Sequence, residues 1–146
     1  MSGTTGTIGL ALALALSACG GSDPAPIEPS ASQDEAGIDA VVGEAFTLRI
    51  GETAAIAGTN LTIRFVAVPA DSRCPTDVQC VWSGNARVEL RAGGVVVALN
   101  THEQPRATRI GEYQLALASL APAPKSTESI APGRYAATLI VTRPGR

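Results

Sequence analysis

Leu61-Thr62-Ile63-Arg64-Phe65-Val66-Ala67-Val68 has a period of two: Leu61, Ile63, Phe65 and Ala67 fall on one side of an extended chain, and Thr62, Arg64, Val66 and Val68 on the other. A helix would bring apolar residues together three and four apart, so this octet reads as a strand with one face toward a core. The same alternation recurs along the chain. Phe46, Leu48 and Ile50 alternate with Thr47 and Arg49, and Val88 and Leu90 stand between Arg87, Glu89 and Arg91. Tyr113, Leu115 and Leu117 form a further set, as do Tyr135, Ala137, Leu139 and Val141. Ala92-Gly93-Gly94 turns the segment around Val88 into Val95 to Leu99, a hairpin whose glycines admit positive φ. Thr59-Asn60 and Pro132-Gly133 supply further turns, and Pro122 and Pro124 stop any ladder in the loop of residues 121–129.

Short strands with turn signals every 8 to 15 residues specify an all-β fold. The expectation is a single small antiparallel β-sandwich or partly open barrel of about six to eight strands, spanning residues 45–146 and preceded by a signal peptide and a disordered linker. A segment of that length closes one core and is too short for two.

Upstream of residue 45 the composition changes. Residues 20–44 are rich in Gly, Ser, Pro and Ala, with prolines at 24, 26 and 29, and read as a tether. Six of the 13 acids fall there (Asp23, Glu28, Asp34, Glu35, Asp39 and Glu44) without a single base. The rest of the chain holds all 11 Lys and Arg against the remaining acids, a formal charge of +4. Such a charge reads as an ordinary solvated surface; the alternative is a modest preference for anionic polymers, with the acidic tether pushed off an anionic leaflet.

Ile8 to Leu16 is uncharged and has the length of a signal-peptide apolar region, far short of a membrane span. It runs into Leu16-Ser17-Ala18-Cys19, which resembles the lipobox of bacterial lipoproteins at all four positions. The resemblance implies a signal peptide over residues 1–18 and a diacylglycerol on the sulfur of Cys19. It implies cell-envelope localisation on a membrane, the outer membrane in a Gram-negative cell since Gly20 rather than Asp follows the cysteine. The stretch before Ile8 departs from the pattern, because Met1 to Thr7 carries no Lys or Arg. Stable attachment takes more than one acyl chain, each buried methylene contributing roughly 0.8 kcal/mol.

With Cys19 assigned to lipid, Cys74 and Cys80 remain as an even pair in an oxidising compartment and are expected to form a disulfide. They lie in the least generic part of the chain, Asp71 to Asn85, expected to form the crossover from a strand ending near Val68 to one starting near Asn85. Trp82, the sole tryptophan, is expected to pack over the disulfide; the alternative leaves it on the loop rim, stacking on a sugar or a partner's side chain. Asp71 and Arg73 are expected to pair with each other, and with Trp82 and Asn85 they make up the candidate binding loop. Asp71-Ser72-Arg73-Cys74-Pro75, followed by Cys80-Val81-Trp82, Gly84 and Ala86, is similar to a signature of small bacterial lipoproteins and secreted proteins without an assigned activity. That resemblance supports the disulfide, the β fold and the envelope, and implies no catalytic residue.

Catalytic patterns are missing. His102 is the only histidine, its neighbour Glu103 is not placed to orient it, and no Gly-x-Ser-x-Gly elbow occurs. Zinc would need Cys74 and Cys80 as free thiols beside His102, and Arg73 opposes a calcium site at Asp71 and Asp77. No cofactor motif is present, and four Phe and Tyr with one Trp make no stacking platform for nucleic acid. The expectation is therefore a non-enzymatic, lipid-anchored binding or structural module for an envelope protein or cell-wall polymer. The alternative is a protease or hydrolase inhibitor that inserts the Cys74–Cys80 loop into an enzyme cleft.

Overall fold

The computed structural model describes residues 37–145. The expected signal peptide over residues 1–18, Cys19 and the part of the expected tether before Gly37 lie outside the described residues. Nine strands are present among the described residues: β1 (Gly37–Ala40), β2 (Ala45–Arg49), β3 (Thr53–Ile56), β4 (Thr62–Asp71), β5 (Ala86–Ala92), β6 (Val95–Asn100), β7 (Ala107–Ile110), β8 (Tyr113–Ala121) and β9 (Ala136–Thr142). One 3-10 turn, Pro132–Arg134, precedes β9. No helix among the described residues is long and apolar enough to cross a membrane.

The strands form a five-stranded sheet, in the order β1-β3-β4-β5-β6, and a four-stranded sheet, β2-β9-β8-β7. The two sheets make a sandwich and do not close into a barrel. Inward residues meet in one core: Ile63 and Phe65 of β4, Val88 and Leu90 of β5 and Leu99 of β6 from one sheet, with Leu48 of β2, Leu115 of β8, and Leu139 and Val141 of β9 from the other. These side chains are the same alternate residues that set the period of two, because each sheet has one face on the core and one toward solvent. In β5 the alternation is complete, Ala86, Val88, Leu90 and Ala92 being buried.

Four details correct the sequence reading. There are nine strands rather than six to eight, the extra ones being four-residue segments with too few apolar positions to show a period. β1 lies inside the expected tether, where Ile38 and Ala40 pack toward the core and Gly37–Ala40 pairs with β3. That pairing is parallel, so the fold is not purely antiparallel. Lastly, β4 runs past Val68 to Asp71, with register shifts between Phe65 and Ala67 and between Ala67 and Ala70. It is hydrogen-bonded to β5, so residues 72–85 are the long tip of a hairpin rather than a crossover. The β5–β6 hairpin is as expected, with Gly93 at φ 56° and Gly94 at φ 85°.

Candidate functional site

The hairpin continues beyond the sheet. Ser72 N–H donates to the Asn85 carbonyl at 2.7 Å and Cys74 N–H to the Ser83 carbonyl at 2.8 Å, zipping the two arms of the tip together. Gly84 makes this possible, with φ at 66° and a hydrogen where any Cβ would overlap the Ser72 carbonyl. Cys74 and Cys80 are joined as a disulfide, with Cα atoms 5.9 Å apart, and close the end of the tip. With both sulfurs bonded to each other, neither Cys74 nor Cys80 is left as a thiolate for zinc. No group of three or more His, Cys, Asp or Glu side chains among the described residues could hold a metal ion.

At the base of the tip, Asp71 and Arg73 pair as expected, but the pair does much more than cap a turn. Arg73 donates from Nε to Asp71 Oδ1 at 2.8 Å and from Nη2 to Oδ2 at 2.6 Å, a two-pronged contact. Its Nη1 reaches the carbonyl of Leu120 at the end of β8 (2.6 Å), and Nη2 also reaches that of Pro122 (2.9 Å). Tyr135, just before β9, donates its hydroxyl to Asp71 Oδ2 at 3.0 Å. The two charged side chains are only 8% and 12% exposed. Together these contacts clamp the end of β4, in one sheet, to β8 and the approach to β9 in the other. Burial alone would raise the Asp71 carboxyl, but the hydrogen bonds and charge of Arg73, with the Tyr135 hydroxyl, outweigh it and hold it below the ordinary carboxylate range. The Tyr135 hydroxyl is pushed up, by its own burial first and by Asp71 second.

Asn85 is equally engaged. Its Nδ2 donates to Asn100 Oδ1 at 2.9 Å, while its Oδ1 accepts from the Thr101 hydroxyl and from the backbone N–H groups of His102 and Glu103 at 3.1 to 3.3 Å. This residue fixes the loop after β6. On the opposite flank, Asp77 takes the Ser126 N–H at 2.8 Å and the Ser126 hydroxyl at 2.5 Å, and Thr76 N–H donates to the Pro124 carbonyl at 2.9 Å. Those Ser126 bonds hold the Asp77 carboxyl low. The Cys74–Cys80 loop thus leans on the loop of residues 121–129. The partnership of Asp77 with Ser126 was not legible in sequence, since it spans 49 positions.

The tip leaves its apolar side chains outside. Trp82 is 80% exposed, Val81 is fully exposed and Val78 is 47% exposed. Packing of Trp82 over the disulfide is therefore overturned: the arms are held by backbone bonds and by the clamp, so no ring is needed to plug them. The indole stands between two shallow depressions. One, of about 490 Å³, is bounded by the disulfide, Val81, His102 and Pro124, and the other, of about 540 Å³, by Ser72, Gly84, Asn85 and Glu103. His102 borders both, and its Nδ1 lies 3.2 Å from the Thr101 hydroxyl.

The four expected site residues accordingly fall into two kinds. Asp71, Arg73 and Asn85 are frame, their polar atoms satisfied from within the chain, and Trp82 alone is presented to solvent. At the far end of the sandwich a depression of about 690 Å³ lies beside Tyr113, Glu112 and Arg143. There Arg143 donates to the Tyr113 hydroxyl at 2.6 Å, sits 5.0 Å over its ring and pairs with Glu112 at 3.6 Å, so these groups satisfy one another. Comparison with protein-family models, curated proteins and solved structures finds no match.

Proposed function

We propose that the chain is a lipid-anchored cell-envelope protein whose β-sandwich is a non-enzymatic binding module, contacting its partner through Val81 and Trp82. The observation that carries this reading is the pairing of exposed apolar side chains with a frame that fixes them. A valine and an indole left in water forgo about 5 kcal/mol of burial at 25 cal/mol per Å². Their segment is nevertheless held by a disulfide, a two-pronged ion pair and three sets of loop contacts. Preorganisation of this kind lowers the entropy lost on contact. The lipobox supports the anchor.

An inhibitor loop would offer its backbone to an enzyme cleft, whereas here Thr76 and Asp77 give their polar groups to residues 124–126. The rim reading is favoured for that reason. Its test is a photo-crosslinking side chain at position 81 in the intact protein in cells, with one at Val66 on the outer sheet surface as reference. Adducts at 81 well above those at 66 are expected, and equal yields at both would refute the rim as a contact surface.

A further inference from the structure

We infer that the surface met by Val81 and Trp82 is the membrane–water interface of the lipid bilayer that carries the anchor. This rests on the rim and anchor readings above and names their partner. A sugar or peptide is recognised through directed hydrogen bonds, yet Asp71, Arg73, Asp77 and Asn85 are all engaged inside the chain. The large apolar side chains exposed on the tip are Val78, Val81 and the Trp82 indole, with Gln79, Ser83, His102 and Glu103 as exposed polar neighbours. Headgroups and upper acyl chains accept such a set without directed partners, and tryptophan with its apolar ring and single N–H concentrates at that depth.

Strand direction supports the same partner. β4 runs toward the tip, ending at Asp71, and β3 is antiparallel to it. β1 is parallel to β3, so the N-terminal end of β1 points toward the tip. Gly37 is level with Thr53 and Arg64, seven residues short of Asp71. At roughly 3.3 Å per residue, and with the extra length of the tip, Gly37 stands about 30 Å above a surface touched by Trp82. The chain of about 18 residues from Cys19 reaches at most about 60 Å. Anchor and tip can therefore meet one membrane. β9 ends at Thr142, opposite Gln114, at the other end of the sandwich, where Glu112 and Arg143 face water.

Trp82 is the only tryptophan, so its fluorescence reports the tip without labelling. The test uses the full mature protein, extracted with its N-terminal modification and placed on phosphatidylethanolamine/phosphatidylglycerol vesicles. The soluble reference is the same chain from position 19 with Cys19→Ser. Vesicle flotation reads the anchor; acrylamide quenching and quenching by lipids brominated near the top of the acyl chain read the tip. The expected result is flotation, an acrylamide quenching slope at least two-fold below that of the soluble reference, and quenching by the brominated lipid. Val81→Asp should restore the slope while leaving flotation intact. Flotation with an unchanged slope and no lipid quenching would overturn the docking while leaving anchor and rim standing, and the crosslinker at 81 would then report a protein or polymer. A Val81→Asp slope equal to the parent's would also overturn it. Loss of flotation would remove the anchor, and this inference with it.

Discussion

Arg73 and Asp71 show how much one pair of side chains can decide. Each is nearly buried, and Arg73 satisfies two carbonyls besides its carboxylate. Removing the guanidinium strands a buried charge and those two acceptors, so Arg73→Ala is expected to lower the unfolding free energy by about 3 kcal/mol. Arg73→Lys should recover only part of the loss, since an ammonium cannot make the planar two-pronged contact. Urea denaturation of the three proteins checks both; a loss below about 1 kcal/mol for Arg73→Ala would mean that the clamp carries little. The same pair sets a pH dependence. With the Asp71 carboxyl held low in the folded state, the unfolded chain binds its proton first as pH falls. Stability from this group is present above about pH 4 and is lost as pH falls through the lowered folded value. Asp77 contributes with the same sign, so the comparison belongs in an Asp77→Asn background. There, Asp71→Asn is expected to flatten the fall in stability below pH 4, and parallel slopes would refute the linkage. That Asp71 and Arg73 pair was legible from their spacing. Their reach to Leu120, Pro122 and Tyr135 was not, because tertiary contacts 47 to 64 positions away leave no local trace.

The element that matters most is the β4–β5 hairpin with its extended tip. Gly84 is the position where one methyl group would force the arms apart, since a side chain there meets the Ser72 carbonyl and a positive φ as well. Gly84→Ala is expected to destabilise by about 2 kcal/mol or more and to raise amide exchange at Ser72 and Cys74 while the sheets stay protected. Exchange unchanged at those two amides would contradict the zipped-arm description. Reducing the disulfide should act on the same element. Closing so short a loop contributes roughly 2 kcal/mol, and its loss should raise the mobility of Trp82 in fluorescence anisotropy without changing the β-sheet circular dichroism. Strand content was readable wherever a strand is covered on one face, as in β5, β8 and β9. The four-residue β1, β3 and β7 were not, being alanine-containing and placed by pairing rather than by a period of their own. Trp82 was misread for a related reason: the sequence shows the ring and its cysteines but not the contacts from residues 120–126 and 100–103 that already hold the tip.

Taken as a whole, the molecule has a polarity that neither its composition nor its strands alone reveal. The disulfide tip and the 121–129 loop lie in the direction to which the N-terminal end of β1 points, and the Glu112–Arg143 pair lies in the other. The exposed indole is at the end of the sandwich that the N-terminal end of β1 faces, although Gly37 itself is level with Arg64, seven residues short of Asp71. The functional reading depends on Cys19 being acylated and on Cys74 and Cys80 being bonded to each other. Intact mass of the protein extracted from membranes, with and without reduction and thiol alkylation, tests both at once. The expected species is a chain beginning at a diacylglyceryl-modified Cys19 that gains two alkyl groups only after reduction. An unprocessed chain from Met1, with Cys74 and Cys80 alkylated without reduction, would contradict that reading.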